Sequence, residues 1–514
     1  MNIKILLATA RSVTLEIEEG GRFHTTCPYE IYINGEKRGE TDRVITNLFS
    51  LKPDTDYTVE LKGSSGNGTV SFQTKKEFVT LNVKEFGAAG DGETDDTASI
   101  QAAILACPRD SRVLIPKGTY KIGALFLKSH IALELAEGAI LSAKTRREDF
   151  PRLPGLIQSY DETDEYNLAS WEGNPLNSHA SILTGLEVED VVVYGKGEIN
   201  GNASRDNWWG IVKKMNGCYR PHMLFLNHCK DIRLQGLTFT NSPSWTLHPY
   251  FSENIDFLGT RIVNPADSPN TDGIDPESVK NMNILGMHFT LGDDCIAVKS
   301  GKIYMGRKFK QPSENIQIRH CLMENGHGAV TVGSEMAGGV KNLLVENCIF
   351  SHTDRGLRIK TRRGRGRDAI LDEITFRSIT MDHVMTPLVV NSFYFCDPDG
   401  HTSYVQSRET YPVDERTPQI KNLTFEDMVC TNCHVRAAYF EGLPEQKIEK
   451  IRMKNIQISY AEDAKCGVAA MSEGVEACSK QGLFASNIHE LIMENVKITG
   501  QDGEEVELHN VDNM

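Results

Sequence analysis

Asp272 follows the pair Asn270-Thr271, and Asp293-Asp294 stand 21 residues later, directly ahead of the apolar run Cys295-Ile296-Ala297-Val298. Carboxylates crowded at short range disfavour each other's ionisation, so one of them keeps a proton that an isolated group would lose. Such a group serves as a general acid, and an ionised neighbour serves as the base that activates water. Two further polar groups follow: His327 between Gly326 and Gly328, then Arg358 and Lys360 on either side of Ile359. Taken singly each has a bland reading, since an Asp after Asn-Thr caps a turn and a His between glycines lines a loop. Only a fold that brings them together turns them into a site.

The elements that must position them are legible as repetition. Segments such as KDIRLQGLTF, KNMNILGMHF, ENIQIRHCLM and KNLTFEDMVC share one apolar pattern. Its third positions are Ile232, Ile255, Met282, Ile316, Leu343, Ile374, Leu423 and Ile451, spaced by ~20–50 residues as in a solenoid with loops inserted between coils. Short β-branched runs separated by turns make the coils strands, so the expected fold is all-β, a right-handed parallel β-helix. Asp293 lies eleven residues past Met282 and His327 eleven past Ile316, while Asp272 follows Ile255 by seventeen and Arg358 follows Leu343 by fifteen. Equal offsets on stacked coils fall on the same wall, so successive coils are expected to supply one cleft.

Ahead of the β-helix, residues 1–77 read as a small β-sandwich, with alternating strands and turn signals such as Asn34-Gly35; residues 78–514 form the second domain. The sandwich reads as a spacer or a lid, with a carbohydrate-binding module as the alternative. Between the two, Ile100, Ala103, Ile104 and Cys107 recur at helical spacing behind Asp95 or Thr97 as N-cap. That helix is expected to cover the open sheet edge of the first coil.

Composition narrows the partners. Lys plus Arg total 55 against 70 Asp plus Glu, a net charge of -15 over 514 residues, so the surface repels nucleic acid and anionic lipid. One exception, RGLRIKTRRGRGR from Arg355 to Arg367, begins on the expected wall and suits a polyanionic ligand. The apolar run after Lys4 is shorter than a signal peptide's, and no stretch reaches the ~18 apolar residues of a membrane span. Cysteines inside apolar segments, with the lone Cys430-x-x-Cys433 read as core packing, point to a reduced, cytoplasmic protein.

In type and order, NTD (Asn270 to Asp272), DD after Gly292, GHG (Gly326 to Gly328) and RIK (Arg358 to Lys360) resemble the four motifs of the polygalacturonases, glycoside hydrolase family 28. The resemblance covers residue 79 to the carboxyl end and implies inverting hydrolysis of α-1,4-linked galacturonic acid, without metal or organic cofactor. It implies Asp293 as the acid, Asp272 and Asp294 as the groups that hold and deprotonate water, and His327 as the group that tunes the acid. An inverting pair is expected ~6.5–9.5 Å apart. Arg358 and Lys360 would grip the substrate carboxylate, joined in binding by Asn270 and Lys299, with Tyr394 as an aromatic platform. NSPSWTLHPY and VGSEMAGGV look like the bacterial exo-acting branch, in which the long loops Asp161 to Asn177 and Phe395 to Arg416 would close one end of the cleft. LKPDTDYTVEL, with Tyr57, resembles fibronectin type III domains. The partner expected is an anionic galacturonate oligosaccharide. Endo action, rhamnogalacturonan hydrolysis, a pectate lyase and a non-catalytic carbohydrate-binding β-helix stay open as alternatives.

Overall fold

Ile232, Ile255, Met282, Ile316, Leu343, Ile374, Leu423 and Ile451 stand in one parallel column, each paired with the next coil in register. Val191 extends it at one end and Leu491 at the other. The structure is a computed structural model that describes every residue except 159–164 and 213–216. Stacking puts like on like inside the coil. A second column runs Phe239, Ile262, Phe289, Met323, Phe350, Met381 and Cys430, every member of it buried. Cys430 and Cys433 are therefore core residues, with free thiols.

The repeated second residue of the pattern makes the corner. Asp231, Asn254, Asn281, Asn315 and Asn342 all take φ between 50° and 57°, the left-handed region that Asn and Asp enter at least cost. Their side chains then bond coil to coil: Asn281 Nδ2 donates to Asn254 Oδ1 at 3.1 Å, Asn315 to Asn281 at 3.0 Å and Asn342 to Asn315 at 2.8 Å.

A third face of each coil carries the wall of interest. Its strands Asp294–Val298, Gly328–Gly333, Arg355–Lys360, Thr386–Asn391 and Arg436–Glu441 pair in parallel, and Ile274 bridges the first of them to Leu247. The helix Thr97–Ala106 packs Ile100, Ala103 and Ile104 into the core at the amino end. From it, Gln101 brackets Phe126 on the first third-face strand, accepting from its N–H at 2.7 Å and donating to its carbonyl at 3.0 Å. An edge peptide is thereby satisfied without another strand. The N-cap position falls to Asp96, not Asp95 or Thr97; the Asp96 side chain accepts from Ala89 and Gly90 N–H, and it is Asp95 that accepts from the Thr97 N–H at 3.1 Å.

The first seven strands, Asn2–Ala8, Val13–Glu18, His24–Ile33, Glu36–Arg43, Ile45–Leu48, Asp56–Gly63 and Gly66–Gln73, form two antiparallel sheets. Numbered β1 to β7 in that order, they run β1-β2-β5 and β4-β3-β6-β7. Tyr57 Oη accepts from Lys52 N–H at 2.8 Å, tying a loop to a strand. The sandwich docks along one corner of the β-helix. Ser12 donates to Gln235 at 2.6 Å, Asn47 to the Leu258 carbonyl at 3.1 Å, and Arg319 pairs with Glu16 at 2.6 Å. Gln235, Leu258, Leu285 and Arg319 are register neighbours, at the turn between the first and second faces. The third face does not share that corner, so the sandwich is not a lid over it. No helix among the described residues is long and apolar enough to cross a membrane.

Candidate active site

Register alone brings the predicted residues together. Asp294 pairs with Gly328 one coil on, Thr331 pairs with Arg358 and Gly333 with Lys360. The Ile274–Ile296 bridge sets Asp272 level with Asp294, and Gly273 N–H donates to the Asp294 carbonyl at 3.0 Å. His327 N–H reaches the Asp293 carbonyl at 2.9 Å, as equal offsets require. Asn270, Asp272, Asp293, Asp294, Lys299, His327, Arg358, Lys360 and Tyr394 all line one cleft with a cavity of about 220 Å³. The glycines of the motifs are there for room. A Cβ at Gly292 would stand 1.8 Å from the Ala266 carbonyl oxygen, and one at Gly328 would stand 2.7 Å from Asp294 Oδ1 and 2.3 Å from Thr331 Oγ1.

The three carboxylates occupy different electrostatic settings. Asp294 is 1 % exposed, with Lys360 Nζ at 2.8 Å and Arg358 Nη1 at 3.2 Å. Burial works against its charge, yet Lys360 and Arg358 outweigh it and hold the carboxyl well below the usual range. Asp272 is as deeply buried but has no such partners, so burial, then the charge of Asp293, push it well above that range. Asp293 is half-buried and open to the cleft, with Oδ1 accepting from Asp294 N–H at 2.9 Å. The upward shift that crowding was expected to produce therefore falls on Asp272. One oxygen from each of the three lies within 4.8 Å of the others, because Asp272 and Asp294 are level on neighbouring coils. A divalent cation could find three oxygens here, but Asp294 is already neutralised by two side chains.

The cations carry partners that their spacing does not show. Arg358 and Lys360 line the cleft and both also bond Asp294. Lys299 lines it too, 3 % exposed, held between Glu335 at 3.0 Å and Asp275 at 3.5 Å and over the Trp245 ring at 4.4 Å. The run of arginines is not a free positive patch. Arg362 pairs with Asp397 and Asp399, Arg363 with Glu445 and Arg365 with Asp397, all at 3.2 Å or less, and only Arg367 of the distal ones is exposed.

Sequence reasoning missed part of the lining and the buried acids behind it. Asp275 and Glu277, fully buried and outside the lining itself, occupy the register positions that Arg358 and Lys360 fill three coils later. Burial raises both acids, Asp275 well above the carboxylate range and Glu277 to about 8. That spacing was visible as D-x-E against R-x-K, had the wall's period of two been followed one coil further back. Trp245 and Glu335 line the cleft, inside stretches noted only for their resemblance. Of the loop Asp161 to Asn177, residues 161–164 lie outside the described residues. In the remainder Trp171 stacks on Tyr219 at 4.7 Å, Glu172 lines the cleft, and the Gly173 carbonyl accepts from Lys302 N–H at 2.9 Å. From the second long loop, Cys396 and Asp397 reach the cleft. A third loop, around Met471, had no signal in its sequence. Arg358 Nη2 lies 2.6 Å from Met471 Sδ, Asn391 donates to the Met471 carbonyl at 3.1 Å, and Glu473 meets His401 of the second loop at 2.9 Å.

The chain is similar to known proteins over most of its length. A probable polygalacturonase of Vitis vinifera is 31% identical over 394 residues, 75% of each chain. An exo-poly-alpha-D-galacturonosidase of Dickeya chrysanthemi is 27% identical over 427 residues, covering 74% of this chain and 69% of its own. The structure of a family 28 exopolygalacturonase from Yersinia enterocolitica aligns over 99% of this chain and 98% of its own, with a TM-score of 0.74 at 20% identity. Residues 80–133 match the group described as Rhamnogalacturonase A/epimerase, pectate lyase-like. Residues 110–479, which contain every cleft residue predicted from sequence, match glycosyl hydrolases family 28, and the chain belongs to that family.

Proposed function

We propose that the chain is an exo-acting polygalacturonase that hydrolyses α-1,4-galacturonosyl linkages with inversion. The observation that carries this reading is the unequal carboxylate trio: Asp294 bonded by Arg358 and Lys360 and held below the usual range, Asp272 buried and pushed above it, and Asp293 open to the cleft. When Asp293 carries a proton, Asp272 and Asp294 are both ionised and bracket a water molecule. Asp293 gives the proton to the leaving oxygen, Asp272 takes one from the attacking water, and the pair again holds one proton. The proton then returns to Asp293 across the short gap. Bound to two cations, Asp294 is a poor nucleophile, which favours attack by water over a covalent intermediate. Lys360 has ammonium donors beyond the one given to Asp294, and these serve the substrate carboxylate.

The exo assignment rests on the loops. Glu172, Asp397 and Met471 all line the cleft, and the loops that carry them are read as closing one end of it. The sandwich fits a fibronectin type III domain, by its strand order and by the Tyr57 corner.

One time course tests the reading. Polygalacturonate should release reducing mono- or digalacturonate from the outset while solution viscosity hardly falls, and the first product should be the β-anomer by NMR. A steep early fall in viscosity sinks exo action but not the carboxylate roles. An α-anomer sinks inversion, and an unsaturated, ultraviolet-absorbing product means a lyase.

A further inference from the structure

One close contact at the cleft has no part in the steps above. His327 Nδ1 and Asp354 Oδ2 are 2.5 Å apart, in a pair that is 31% and 46% exposed by side chain. Asp354 comes from the coil after His327, and its N–H donates to the Gly326 carbonyl at 2.9 Å. Its Oδ2 lies 3.5 Å from Arg355 Nη1. Arg355 is itself buried, and its Nη2 is fixed on the Val468 carbonyl at 2.7 Å. Asp354 is therefore held from two sides with one oxygen turned to the histidine ring.

We infer that Asp354 is a positioning residue for the hydrolysis: it sets which ring nitrogen of His327 carries the hydrogen and sustains the ring's charge. This rests on the polygalacturonase reading. A carboxylate at Nδ1 requires a hydrogen there, so Nε2 is left to the cleft, as an acceptor on the neutral ring and a donor on the charged one. The charged groups that face the ring are Asp293 and Asp294 from the coil before, and Asp354, Arg355 and Arg358 from the coil after. Asp354 is the one of these carboxylates that bonds the ring directly, and a close anion favours the imidazolium. Burial raises the Asp354 carboxyl, and the bond and charge of His327 more than offset it, leaving the group below its ordinary range. With Nε2–H as donor, His327 steadies the Asp293 carboxylate as it loses its proton to the leaving oxygen.

Asp354→Asn tests this without threatening the fold, because the pair is half-exposed. The amide can donate to a bare Nδ1, which moves the ring hydrogen to Nε2 and removes the charge partner. Expected are a kcat lower by about tenfold, KM within about twofold, and, by nitrogen NMR of the neutral ring, the His327 hydrogen moved from Nδ1 to Nε2. Asp354→Glu should recover part of both the rate and the Nδ1 hydrogen. A ring hydrogen that stays on Nδ1 in Asp354→Asn overturns the inference, and so does an unchanged kcat. Wild-type protein that hydrolyses no galacturonan would sink the functional reading instead, and the NMR measurement would still decide the pair.

Discussion

Asp272→Asn, Asp293→Asn and Asp294→Asn each lower kcat by at least ~10²-fold, the worth of a placed acid or base, yet they part company in stability. Asp294 is the counter-ion of two buried cations, so its replacement leaves Arg358 and Lys360 repelling each other inside a dry wall. Breaking a buried pair from one side is worth about 3–5 kcal/mol, and Asp294→Asn should unfold at markedly lower denaturant. Asp272 is in the reverse position: burial already favours its neutral form, and Asn is a neutral group of the same shape. Asp272→Asn should be at least as stable as the wild type. Measuring kcat and denaturant midpoints for the three proteins checks both halves. A variant keeping half the wild-type rate leaves the mechanism, and equal midpoints for Asp272→Asn and Asp294→Asn contradict the unequal trio.

Arg363→Met should be the most damaging change in the arginine run, although the residue never touches the cleft. Arg363 is 1 % exposed; it pairs with Glu445 at 2.5 Å and donates to the carbonyls of Tyr404, Ser407 and Glu409 at 2.7–3.1 Å. Methionine fills similar space and leaves Glu445 charged and buried with three carbonyls stripped of a donor. A loss of about 3–5 kcal/mol is expected, against almost none for Arg367→Met four residues on, which is exposed. Denaturant titration of the two variants decides it. Similar small losses would return Arg363 to the role of a solvated charge.

The fold was legible because a parallel coil writes its register into the sequence: each apolar third position is spent on the next coil's third position, and each corner asks for a residue that tolerates φ > 0. Asp293 and His327 could be aligned by counting for the same reason. What counting could not show was partnership. Arg358 and Lys360 look free on paper, and only the third dimension shows Asp294 beneath them. Lys299 likewise gives no sign of Glu335, 36 residues away, because a whole coil of the chain lies between. The Met471 loop has no repeat, no motif and no charge run, so nothing local marks it as part of the cleft.

The motif residues of the wall span 270 to 360, and coils at Leu423, Ile451 and Leu491 stack beyond them. In a stack whose neighbours hold each other, loss of order enters at the ends and travels inward one layer at a time. The carboxyl-terminal layers hold up the Met471 loop but none of the three aspartates. Gentle heating should therefore loosen the Met471 loop while the chemistry behind it survives. If that loop is what makes the protein exo-acting, as proposed, a partly melted molecule would cut long chains at interior bonds before it lost activity, and a fall in viscosity per bond cut, rising with temperature ahead of inactivation, would register that change.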